Sequence, residues 1–135
     1  MSGNLSPQAA SDSGIETTLS TRYTVQDKDT VGFLVSGMPM VAATPYLVTI
    51  AEMVCYDIAK KLIEPDQITV GSRVVIDHLG ASKVGATLVV AASLRARDRN
   101  RFTFDVTIKD GERTVATVEH VRAAVSVQKL MAALG

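Results

Sequence analysis

The sequence predicts an α+β domain in which one curled antiparallel β-sheet encloses a single long α-helix. Three observations carry this. A helical apolar stripe occurs once, over residues 44–62, and alternating apolar segments follow it closely. The intervals between those segments are short, which favours antiparallel hairpins over βαβ crossovers. One helix laid in the concavity of one sheet then buries both apolar faces economically.

Taken in order, residues 1–14 (MSGNLSPQAASDSG) have the Ser/Gly/Pro/Gln composition of a disordered tail, so a single domain is expected over 15–135. Ile15 to Val25 is rich in Thr and β-branched residues and reads as a first strand. Gln26 to Ala43 is interrupted by Gly32, Gly37 and Pro39 and reads as irregular. Its apolar content (VGFLVSGMPMVAA) predicts packing against a neighbour, a substrate or another subunit. Thr44 is expected as an N-cap with Pro45 at the first helical position. Leu47, Ile50, Val54, Ile58 and Leu62 form the stripe, and Pro65 stops the helix after about eighteen residues, or about 27 Å. Strands follow at Gln67 to Leu79, Ala86 to Arg97 and Phe102 to Lys109. Asp110-Gly111 marks a tight turn into a last strand, Arg113 to Val127.

Composition bounds the function. The 135 residues are 47% hydrophobic but contain no Trp, so the core must be aliphatic. Fourteen basic and fourteen acidic residues leave zero formal charge, which argues against nucleic acid or an anionic membrane as the main partner. One cysteine excludes an intrachain disulfide framework. No CxxC, HExxH or paired histidines occur, so no metal site is expected. With no basic-plus-apolar leader and no apolar run of about 20 residues, a cytoplasmic protein is expected.

Few residues offer chemistry. Glu52 is the only charged side chain from Thr30 through Tyr56 and sits beside the apolar stripe. It is either a boundary or interface charge, or a partly desolvated carboxylate made more basic by an apolar cleft. Thr44 can serve as a cap alone. His78 lies near a strand end, and His120 alternates with Val118 and Arg122; each has a structural reading beside a catalytic one. Cys55 reads as a small core residue. The run RARDRNR (95–101) reads as a solvated hairpin or a phosphate-contacting patch. Gly71 suggests a bulge or close backbone approach.

Ala43-Thr44-Pro45 with Glu52 forms the motif A-T-P-x(6)-E. With Gly71, His78, and the H-x-R of His120 and Arg122, it resembles the fluoroacetyl-CoA thioesterase family and its wider acyl-CoA thioesterase relatives of the hotdog fold. The resemblance runs from about Val41 to Val127. It implies a catalytic set of Thr44, Glu52 and His78 at a site between two subunits. Glu52 would attack a thioester carbonyl or activate water, Thr44 would position by hydrogen bonding, and His78 could protonate the departing thiolate. Gly71, Arg122 and Phe33 are the implied substrate-binding residues, Gly71 through backbone N–H groups and Arg122 by holding the acyl-CoA. Phe33, with Met38, Met40 and Tyr46, would set pocket depth. The family's fluoroacetate-specific enzyme carries a longer lid segment with several phenylalanines. Here Val31 to Ala43 is shorter and holds only Phe33, so a general short- or medium-chain acyl-CoA is the expected substrate.

The expected activity is therefore hydrolysis of acyl-CoA to free acid and CoA by a homodimer or higher homo-oligomer, with no metal or redox cofactor. The alternative is a non-catalytic hotdog module that binds acyl-CoA or another small apolar ligand. Binding alone does not require the carboxylate of Glu52. A hydratase ranks last, because the Asp-x(4)-His pair such enzymes carry on the helix is absent.

Overall fold

A computed structural model describes residues 17–135. The 1–14 tail and the start of the first strand at Ile15 lie outside them. Five strands form one antiparallel sheet: β1 (Thr18–Thr24), β2 (Gln67–His78), β3 (Thr87–Asp98), β4 (Arg101–Asp110) and β5 (Arg113–Ser126). The helices are a single turn, α1 (Val31–Leu34), the long α2 (Thr44–Ala59) and a short C-terminal α3 (Val127–Ala133). Neither α1 nor α3 was expected from the sequence.

The sheet order is β1-β3-β4-β5-β2. The hairpin expectation therefore holds for β3-β4-β5 and fails for β2, which pairs with β5, while β1 pairs with β3. The stretch between β2 and β3 crosses the sheet instead of closing a hairpin. As a result β2 is a long edge strand with only one side paired, and nearly all of its residues from Gly71 to His78 are exposed.

The α2 stripe packs as periodicity predicts: Leu47, Ile50, Val54 and Ile58 are buried. They meet the inward lanes of β3 (Leu88, Val90, Ala92, Leu94) and β4 (Phe102, Phe104, Val106, Ile108). With 16 residues, α2 is about two residues shorter than expected and ends at Ala59, though Leu62 is still buried beyond it. No α-helix of the described residues is long and apolar enough to cross a membrane.

The segment read as irregular is held by backbone bonds. Val31 N–H donates to the Val41 carbonyl, Gly32 N–H to Pro39, and Ala43 N–H to Asp29, each at 2.9 Å. The Thr30 hydroxyl caps α1 by accepting from Phe33 N–H. These bonds hold the main chain and leave Phe33, Leu34, Val35, Met38 and Met40 exposed, five apolar side chains within eight residues. On the convex face of the sheet, Arg73, Glu119, Arg95 and Asp105 form an exposed ion network that contributes little stability in water. Arg97 belongs only partly to a solvated hairpin: it donates to the Leu62 carbonyl and lies over the Phe102 ring.

Candidate active site

Two clusters of polar side chains lie against α2, one at its N-terminal end and one at its middle. At the N-terminal end the helix cap is Ala43, not Thr44 as expected. Thr44 occupies the first helical position, so its hydroxyl is released from capping. Its Oγ1 stands 2.8 Å from Nδ1 of His78, at the end of β2. The two residues line an open groove of about 510 Å³ with Val31, Val41 and Leu79. Phe33, two residues beyond Val31 on α1, is 63% exposed.

The second cluster surrounds Glu52, whose side chain is 37% exposed. Its Oε2 lies 3.5 Å from Nη1 of Arg122 and 3.5 Å from Nε2 of His120. Alternation along β5 directs Ala116, Val118, His120, Arg122 and Ala124 to the helix side of the sheet, so the inward lane turns polar where it faces Glu52. Arg122 is buried and held by Thr69 of β2. Its Nε donates to Thr69 Oγ1 and its Nη2 to the Thr69 carbonyl, both at 2.9 Å. Its Nη1 lies 3.1 Å from Nε2 of His120, and its guanidinium carbon is 5.7 Å from the centre of the Tyr56 ring. Burial pushes the Arg122 and His120 pKa values down; Glu52 opposes the shift on both.

Gly71 explains how the carboxylate reaches the sheet. It pairs with Arg122 across the ladder, next to a bulge before Arg73. A Cβ at Gly71 would collide with Glu52 Oε2 and approach His120 Cε1 to 3.2 Å. Only glycine leaves that space to the carboxylate. Just past the bulge, the Arg73 carbonyl lies 2.9 Å from His120 Nδ1. Thr49, Met53, Tyr56 and Asp57 complete an open groove of about 430 Å³ around Glu52 and Arg122.

Of the residues singled out by sequence, Thr44 meets His78, and Glu52 meets Gly71 and Arg122. The two sets do not meet within one chain. Eight helical residues separate Thr44 from Glu52, about 12 Å along the axis and about 80° around it. Thr69 and the contact between His120 and Glu52 were missed, although the H-x-R spacing already put His120 on the same strand face as Arg122. Cys55 is buried, and desolvation pushes its thiol up to about 12, so it is no nucleophile. No group of three or more metal-ligating side chains occurs among the described residues.

Comparison with known proteins follows the same outline. Residues 25–128 match the family described as fluoroacetyl-CoA-specific thioesterase. The fluoroacetyl-CoA thioesterase of Streptantibioticus cattleyicolor is 29% identical over 94 residues, spanning 70% of this chain and 68% of that protein. A solved structure of the fluoroacetyl-CoA thioesterase FlK superposes with a TM-score of 0.83 at 25% identity, covering 89% of this chain and 93% of the other. A hot-dog-like protein from Thermanaerovibrio acidaminovorans shares the fold with a TM-score of 0.82 at 18% identity, over 90% of each chain.

Proposed function

This chain, a hotdog-fold thioesterase, belongs to the fluoroacetyl-CoA-specific thioesterase family, and on that premise we propose that it hydrolyses short- or medium-chain acyl-CoA thioesters at a site shared by two copies of the chain. Thr44, Glu52 and His78 are its catalytic set. The observation that carries the reading is the 2.8 Å pair of Thr44, at the start of α2, with His78, at the end of β2, too far from Glu52 of the same chain to act with it on one carbonyl.

The free edge of β2 supports the shared site. Two β2 edges paired antiparallel about a two-fold axis would align the His78 end of one strand with the Gly71 end of the other, where Glu52 lies. That pairing also removes an exposed 12-residue edge, which soluble proteins rarely leave bare. The exposed side chains of α1 would meet the second copy or the acyl chain.

In this reading the thioester carbonyl lies between the half-sites. The Glu52 carboxylate attacks the carbonyl carbon or draws a proton from an attacking water. Arg122, 3.5 Å away, holds the carboxylate in place. His78, steadied by Thr44, hydrogen-bonds at the reacting centre and gives a proton to the CoA thiolate as the C–S bond breaks. Water attack yields the free acid directly, whereas direct attack leaves an acyl–Glu52 anhydride that a second water hydrolyses; either path ends in free acid and CoA. Substrate breadth follows from the 31–43 segment, where Phe33 is the only aromatic available to close over a small acyl group.

The test is thiol release from a series of acyl-CoAs, acetyl to palmitoyl, with E52Q alongside. Turnover by the native chain and a loss of at least about 10²-fold in folded E52Q are expected. Equal rates would remove Glu52 from the mechanism.

A further inference from the structure

His120 is fully buried, 0% exposed, between two partners that each dictate its protonation. The Arg73 carbonyl, 2.9 Å from Nδ1, can only accept, so Nδ1 must carry a proton. The Arg122 guanidinium, 3.1 Å from Nε2, can only donate, so Nε2 must present a lone pair. Both constraints select the same neutral tautomer. A bare Nε2 cannot donate to Glu52, and the 3.5 Å approach between them is therefore not an ion pair.

We infer that His120 is a positioning residue for the thioesterase site: held as the Nδ1–H tautomer, it fixes Nη1 of Arg122 beside the Glu52 carboxylate. Thr69 holds Nε and Nη2 of Arg122, and His120 holds one N–H of Nη1. The second N–H of Nη1 is the one left to face Glu52 Oε2. A ring protonated at Nε2 would oppose donor to donor and push the guanidinium out of line. The charged groups facing the ring are Glu52 from α2 and Arg122 from its own strand; β2 contributes the backbone of Arg73, and Phe104 pairs with it on β4. Second-partner orientation of this kind decides the geometry of a catalytic carboxylate much as it does that of a metal ligand.

The inference rests on Glu52 being the catalytic carboxylate, so its test has an arm independent of turnover. Long-range 1H–15N spectra of the full-length native chain should show His120 with a protonated Nδ1 and an unprotonated Nε2 at about pH 8, and still predominantly so at pH 6.5, the ordinary histidine midpoint. An Nε2–H tautomer, or a ring half or more protonated at pH 6.5, overturns it. In turnover, H120L removes the acceptor and should lower kcat by about 10²-fold with KM little changed, the scale of a misplaced catalytic group. H120Q keeps an uncharged acceptor and a donor and should recover at least about tenfold of that loss. It should also flatten the acid limb of the rate profile. Equal rates for folded H120L and H120Q overturn the positioning role. If E52Q proves fully active while the spectra hold, the Glu52 assignment has failed and the tautomer stands.

Discussion

Thr44 Oγ1 and His78 Nδ1 meet at 2.8 Å across 34 residues of chain, one at the start of α2 and the other at the end of β2. The contact exists because the helix takes its cap one residue earlier, at Ala43. A threonine that capped the helix would spend its oxygen on the backbone.

That separation of roles gives a mutational test. T44V keeps the β-branched shape and removes only the hydroxyl. Kinetics on acyl-CoA should show kcat lowered by about 10²-fold, while stability falls by less than about 0.5 kcal/mol. A stability loss near 1 kcal/mol with activity intact is the signature of a cap and would count against the catalytic reading.

A shared site makes complementation possible. E52Q and H78A chains should each be inactive alone. Co-refolded in equal amounts, they form mixed dimers that hold one intact half-site combination, and about a quarter of native activity should return. A site confined to one chain recovers nothing, and the turnover of the mixture decides between them.

Gly71→Ala targets the space reserved for the Glu52 carboxylate. Gly71 has no left-handed backbone angle that would penalise alanine, so the fold should survive. The new Cβ must instead displace Oε2 from Arg122. Circular dichroism should be native, with kcat/KM down by about 10²-fold. Native turnover in G71A would show that the carboxylate does not need its place against the sheet.

His120 should also leave a mark on stability. Burial lowers its pKa below the ordinary 6.5, so the unfolded chain binds a proton more readily than the folded one. The histidine's share of stability is then complete above about pH 6.5 and is lost as pH falls toward the folded value. Thermal melts of the native chain should drop more steeply from about pH 7 to pH 5 than those of H120Q. Parallel curves would mean that His120 folds in either charge state.

Much of the fold is legible without coordinates because its signals are local. Leu47, Ile50, Val54 and Ile58 repeat at helical spacing, and Phe102, Phe104, Val106 and Ile108 alternate, whatever lies opposite them. Gly111, with φ +63, closes the β4–β5 turn announced by Asp110-Gly111. The one-turn α1 and the short α3 escaped because a helix of a few residues has too little length to show a period. The pairing of β2 escaped because alternation says which face a strand buries and nothing about which neighbour it takes.

The sequence by itself determined the helix, the strands and the few side chains able to do chemistry, since propensity and periodicity are properties of neighbouring residues. It singled out Glu52 as an anomaly but left open what that charge would face. Only the tertiary structure decided its surroundings. The β2–β5 register brings Gly71 opposite Arg122 and Val74 opposite His120, and helix packing lowers the carboxylate into the space that glycine leaves. Partnership between distant residues is set by register and packing, and those are fixed only when the whole sheet closes on the helix.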